Sequence, residues 1–82
     1  MKKLGKWLRS QRKKAGISQV DLAKKANYEI SQIVSNTERG KNKPPIPLMI
    51  AYIENCNISK ESMIKEMLAC LNRKLKKELW RI

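Results

Sequence analysis

GISQVDLAKKANYEISQIVSNTERG, Gly16 to Gly40, is the stretch whose reading decides the fold. Two short helical segments lie between two glycines, with a polar break between them. The first starts at Ser18, whose hydroxyl suits an N-cap. Asp21 follows three residues on, an acidic group at the positive end of the helix. Leu22, Ala23 and Ala26 recur at helical spacing, whereas Asn27-Tyr28-Glu29 cannot continue that stripe and reads as a turn. The second segment, Ser31 to Arg39, sets Val34 and Thr37 on one side and Ser31, Gln32, Ser35 and Asn36 on the other. Gly40 ends it as a C-cap.

The outward set is small, uncharged and able both to donate and to accept hydrogen bonds. Such side chains suit the base edges of a DNA major groove. Two helices joined by a short turn, the second polar on its outer side, make a helix-turn-helix arrangement.

The residues Gly16-Ile17-Ser18-Gln19, Leu22-Ala23 and Glu38-Arg39-Gly40 carry a specific resemblance. Over residues 4–58 the chain resembles the lambda-repressor/Cro family, also called the xenobiotic-response-element family. Its turn is one residue longer than the common form. It is similar to a variant in which a Tyr-containing turn precedes a Gln-x-x-Ser-Asn-x-Glu-Arg-Gly helix, which Tyr28, Gln32, Ser35, Asn36, Glu38, Arg39 and Gly40 fit. The resemblance implies an all-α, five-helix domain. It implies that Arg12, four residues before the glycine, pairs with Glu38 and could turn its guanidinium toward a phosphate. Gln19, first in its helix, would hold a backbone phosphate by its amide. The loop after the recognition helix would follow the phosphate backbone.

Eighty-two residues make one small domain, and a second copy would add to a small core. A formal charge of +12 points to a polyanion, with nucleic acid ahead of an anionic membrane surface. The chain has no histidine, and its two cysteines, Cys56 and Cys70, lack metal-ligand spacing, so they read as small apolar fillers. Paired carboxylates, a nucleophile–base set and a phosphate-cradling glycine loop do not occur, so the chain does not read as an enzyme. No cofactor or metal is expected. No apolar run is long enough to span a bilayer, and the basic N-terminus is followed by no signal-peptide pattern. These features predict a cytoplasmic, nucleoid-associated protein with no membrane role.

Residues 2–15 read as a first helix whose Leu4, Trp7, Leu8 and Ala15 share a face, while lysines and arginines fill the rest. No acidic residue precedes Asp21, unlike the mixed charges of an ordinary solvated face. In the third helix Ser31, Gln32, Ser35 and Asn36 are the candidate base contacts. Gln32 or Asn36 could pair bidentately with adenine, and Ile33 could meet a thymine methyl. Gln19, Arg12, Arg39, Lys41, Asn42 and Lys43 are the candidate phosphate contacts. Against this stands the plain reading of a polar solvent face and a solvated loop. Pro47 opens a fourth helix with Leu48, Met49, Ile50, Ala51 and Ile53 as core, and Asn55-Cys56-Asn57 breaks it.

Residues 1–58 thus form the helix-turn-helix core and residues 59–82 an extended C-terminal helix, capped by Ser59 with Glu61 in its first turn. Ile64, Leu68, Leu71, Leu75, Leu79 and Ile82 make a stripe longer than a five-helix domain needs. It reads as a homodimer interface. Packing onto the first helix could use only its first half. Arg73, Lys74, Lys76, Lys77 and Arg81 flank its far end.

The whole predicts a sequence-specific regulator of transcription that binds double-stranded DNA as a homodimer. Most simply it is a repressor on a near-palindromic operator, with recognition helices about 34 Å apart. The alternative is an antitoxin or other interaction module whose last helix binds a protein partner. Non-specific DNA packaging follows from charge alone.

Overall fold

The computed structural model describes residues 2–79. Five helices follow one another: α1 (Lys2–Lys14), α2 (Gln19–Lys25), α3 (Gln32–Glu38), α4 (Ile46–Asn55) and α5 (Lys60–Leu79). Among the described residues there is no strand.

The helix ends show why so short a chain can turn so often. Ser18 Oγ accepts from the Asp21 amide at 3.0 Å and starts α2. Ser59 Oγ accepts from the Ser62 amide, also at 3.0 Å, and starts α5. At the other ends, Gly16, Asn27, Gly40 and Asn57 all have positive φ. Glycine and asparagine tolerate that left-handed conformation best, and it lets the next amides close back on the last turn. After α3, the Gly40 amide donates to Thr37 O at 3.1 Å and the Lys41 amide to Asn36 O at 2.9 Å. After α2 the same pair of bonds runs from Asn27 to Lys24 O at 3.0 Å and from Tyr28 to Ala23 O at 2.9 Å. The expected turn at Asn27-Tyr28-Glu29 is therefore a left-handed cap centred on Asn27.

The core gathers Leu4 and Leu8 of α1, Leu22 and Ala23 of α2, Val34 of α3, Leu48, Ala51 and Tyr52 of α4, and Met63 of α5. Fully burying each large apolar side chain contributes about 1.5–3 kcal/mol, an upper estimate because the unfolded chain is already partly collapsed. Trp7, Ala15, Ile33, Met49 and Ile53 pack half-buried against it. Ile50, expected in the core, is 48% exposed, because Leu48, Ala51 and Tyr52 define the inward side of α4 and the helical turn carries Ile50 to the opposite side. Cys56 and Cys70 are both buried free thiols. Burial raises the Cys56 thiol above its ordinary pKa, partly offset by the nearby Arg12 charge.

Gly5 fixes how closely α1 approaches α3. A Cβ there would run into the Glu38 carbonyl and come within 2.7 Å of Thr37 O. Any side chain at Gly5 forces the end of α3 away.

Helix α5 packs on α1 and α4. Its inward side is Met63, Met67 and Cys70, not the leucine stripe. Ile64, Leu68, Leu71, Leu75 and Leu79 are 45–63% exposed. The alternative in which the first half of the stripe packs onto α1 is therefore corrected: a different apolar face of the same helix does that. Arg81 and Ile82 lie outside the described residues.

Candidate nucleic-acid interface

Helix α3 divides its residues sharply. Val34, Thr37 and Glu38 are buried, while Gln32 is exposed and Ser31, Ser35 and Asn36 are half-buried. On the outer side Gln32 Nε2 donates to Asn36 Oδ1 at 2.9 Å, and Arg39 Nη2 donates to the same oxygen at 3.0 Å. Positions four and three apart stack along one helix face, so the three side chains form a row. Gln32 keeps its carbonyl oxygen and one N–H, and Asn36 keeps its whole amide nitrogen. Ser31 stands at the N-cap without a side-chain capping bond, so its hydroxyl is uncommitted. Ile33 is half-buried against the core.

Behind this row lies a buried polar knot. The Glu38 carboxylate, on a residue 5% exposed, receives four hydrogen bonds from three other helices. Arg12 of α1 donates from Nε to Oε2 at 2.7 Å and from Nη2 to Oε1 at 3.0 Å. Gln19 of α2 donates from Nε2 to Oε1 at 3.1 Å. Tyr52 of α4 donates its hydroxyl to Oε2 at 2.7 Å. The remaining terminal nitrogen of Arg12, Nη1, donates to the Ile17 carbonyl at 2.8 Å. Helices α1 to α4 thus meet at one carboxylate at the end of α3.

Burial by itself would raise the Glu38 carboxyl, but the bonds from Arg12, Tyr52 and Gln19 outweigh it and hold the group below its ordinary pKa. The hydrogen bond to Glu38 likewise keeps Arg12 firmly charged, against the cost of burial. Burial first, and then the bond to Glu38, push the Tyr52 phenol far above its usual range. Satisfying the carboxylate with several donors is what makes a buried ion pair tolerable. Thr37 Oγ1, by contrast, is buried without a hydrogen-bond partner.

Sequence reasoning misses Tyr52. It stands in an apolar run and reads as an ordinary core aromatic; only the fold sets its hydroxyl on Glu38. The bond from Gln19 to Glu38 is also missed: the resemblance gives this amide to a backbone phosphate, and in the structure one of its N–H groups goes to the carboxylate. The structure brings Arg12, Gln19 and Glu38 together and turns Arg12 inward, at 7% exposed. Arg39, Lys41, Asn42 and Lys43 are exposed where the chain leaves α3. Pro44, buried, anchors the loop's far end.

The helix-turn-helix family model covers residues 8–63, more than half of the chain. The chain belongs to the helix-turn-helix family. Comparison with curated proteins and with solved structures finds no match. Helix-turn-helix domains of this family are non-catalytic DNA-binding modules. Among the described residues no group of three or more His, Cys, Asp or Glu could hold a metal ion. No described helix is long and apolar enough to cross a membrane.

Proposed function

We propose that this helix-turn-helix protein is a sequence-specific regulator of transcription of the lambda-repressor/Cro kind, acting as a homodimeric repressor. The observation that carries the proposal is the Gln32–Asn36–Arg39 row on the outside of a helix whose inner end is pinned by three others. Amides held in one geometry before binding give up less entropy on pairing with a base. Ser31, Gln32, Ser35 and Asn36 read bases. Gln19, Arg39, Lys41, Asn42 and Lys43 take phosphates. Arg12 is assigned to holding Glu38 instead, since its nitrogens are engaged inside the protein.

The dimer rests on α5. Its exposed leucine face runs from Ile64 to Leu79. The same exposed face also suits a protein partner, the antitoxin-like alternative. Sedimentation of the isolated protein separates them: a dimer supports the regulator, and a monomer at high concentration supports the partner.

The deciding experiment is a mobility shift on DNA upstream of the protein's own gene, with random competitor. Tight binding that Gln32→Ala/Asn36→Ala reduces to the level of random DNA supports sequence reading. Equal binding of both DNAs, unchanged in the variant, overturns it.

A further inference from the structure

The strongest feature left over lies away from the face of α3. The first turn of α1 and the C-terminal half of α5 form the walls of a cleft lined by Lys2, Lys3, Cys70, Arg73, Lys74 and Lys77. Among the described residues no acidic side chain lines it. Among the described residues the one salt bridge is Arg12–Glu38, so these cations are not paired within the described structure. A folded chain pays a repulsive cost for gathering five like charges, and an anion relieves it.

The cleft is continuous with the loop after α3. The start of α1 sits directly on Gly40, where an added Cβ would meet Lys2 N and Cα at 2.9 Å. On the other side Lys43 and Lys74 stand at the edges of a neighbouring groove whose other lining residues are Met67, Leu68, Cys70 and Leu71. A cationic track therefore leaves the recognition helix at Lys43, crosses to Lys74 and Arg73, and ends in the cleft with Lys2, Lys3 and Lys77.

We propose that this track is a second phosphate-binding surface, which carries the DNA backbone beyond the recognition helix and onto α1 and α5. The proposal rests on the DNA-binding reading above. A repeating phosphate backbone is the occupant favoured by exposed lysines and arginines that span two adjoining clefts and begin in a loop already assigned to phosphates. Such cations add affinity and no sequence preference. The track borders the leucine face of α5 at Leu68 and Leu71.

The test uses the full chain, random-sequence duplex DNA and a salt titration. Lys2→Gln/Lys3→Gln removes two charges from the track. Lys13→Gln/Lys14→Gln removes two from the opposite end of the same helix, about 16 Å away at 1.5 Å per residue. The track variant should flatten the slope of log affinity against log salt by about 0.9 for each phosphate it no longer neutralises, near 2 for the pair, while the control leaves it almost unchanged. Arg73→Gln/Lys77→Gln, on the other wall, should act like the first pair without altering sedimentation. Equal flattening by track and control variants overturns the proposal, because net charge alone then explains binding. So does an unchanged slope in both track variants. A wild type that binds acidic polypeptide through the track as tightly as duplex DNA overturns it in favour of a protein partner. Wild-type protein that binds no duplex at all removes the DNA reading itself. Track variants with the wild-type slope, while Gln32→Ala/Asn36→Ala still abolishes preference for the upstream DNA, remove only the track.

Discussion

Helices α3 and α5 solve opposite problems. The first has seven residues, and three of them are buried. The second has twenty and leaves five large apolar side chains facing out. A seven-residue helix is far too short to be stable alone. It holds its shape because Glu38 is gripped from three sides and because Gly5 lets α1 come within backbone contact. Long α5 needs no such grip and turns Met63, Met67 and Cys70 toward the domain. Positional accuracy is concentrated in the short element and unsatisfied surface in the long one.

The sharpest way to break this contrast is Glu38→Ala. It strands the Arg12 charge and the Tyr52 hydroxyl, and should cost about 3–5 kcal/mol in denaturant unfolding. A loss no larger than that of a surface substitution would mean that α3 is held by apolar packing alone.

Tyr52→Phe removes one donor and should cost about 1–3 kcal/mol. It also sharpens the pH dependence. The folded pKa of Glu38 lies below its unfolded value, so its stabilisation is full above about pH 4.3 and is lost as pH falls through the folded value. The folded pKa of Tyr52 lies above its unfolded value, so its stabilisation is full below about pH 10 and is lost as pH rises further. Thermal melts across pH should show both limbs in the wild type. Tyr52→Phe should flatten the alkaline limb, and Glu38→Gln the acid one.

Thr37→Val tests the same helix in the other direction. Replacing a buried hydroxyl that has no partner should stabilise the fold by about 1 kcal/mol. On α5, Leu71→Glu/Leu75→Glu should change monomer stability by no more than about 0.5 kcal/mol. It should nevertheless abolish any dependence of melting temperature on protein concentration. A large loss in dilute protein would show these leucines to be packed within one chain.

Much of this contrast is legible in the residues, and unevenly. Ser18, Gly16 and Gly40 mark their helix ends because capping is local chemistry. The inner and outer sides of α3 follow from Val34 and Thr37 at helical spacing. The knot is only half legible. Arg12 and Glu38 stand 26 residues apart, and nothing local connects them; a resemblance suggests the pair. Tyr52 is silent, since a phenol in an apolar run reads the same whether or not its hydroxyl finds a carboxylate. The seating of α5 is hidden for another reason. The helix carries two apolar faces, and periodicity reports that both exist without saying which one meets the domain. The longer, leucine-rich face is the obvious candidate for packing of some kind. The shorter one, Met63-Met67-Cys70, takes the place on the core.

The separation of sides on α3 also bears on how such a protein can change over generations. The side chains of Gln32, Ser35 and Asn36 hydrogen-bond to nothing in the core, whereas Val34 is packed in it and Glu38 is bonded to three other helices. Substitutions at the three outer positions can accumulate without a stability threshold being crossed. The domain is therefore a durable chassis with an interchangeable face, and new target preferences are open to it by few steps and without an unfolded intermediate sequence.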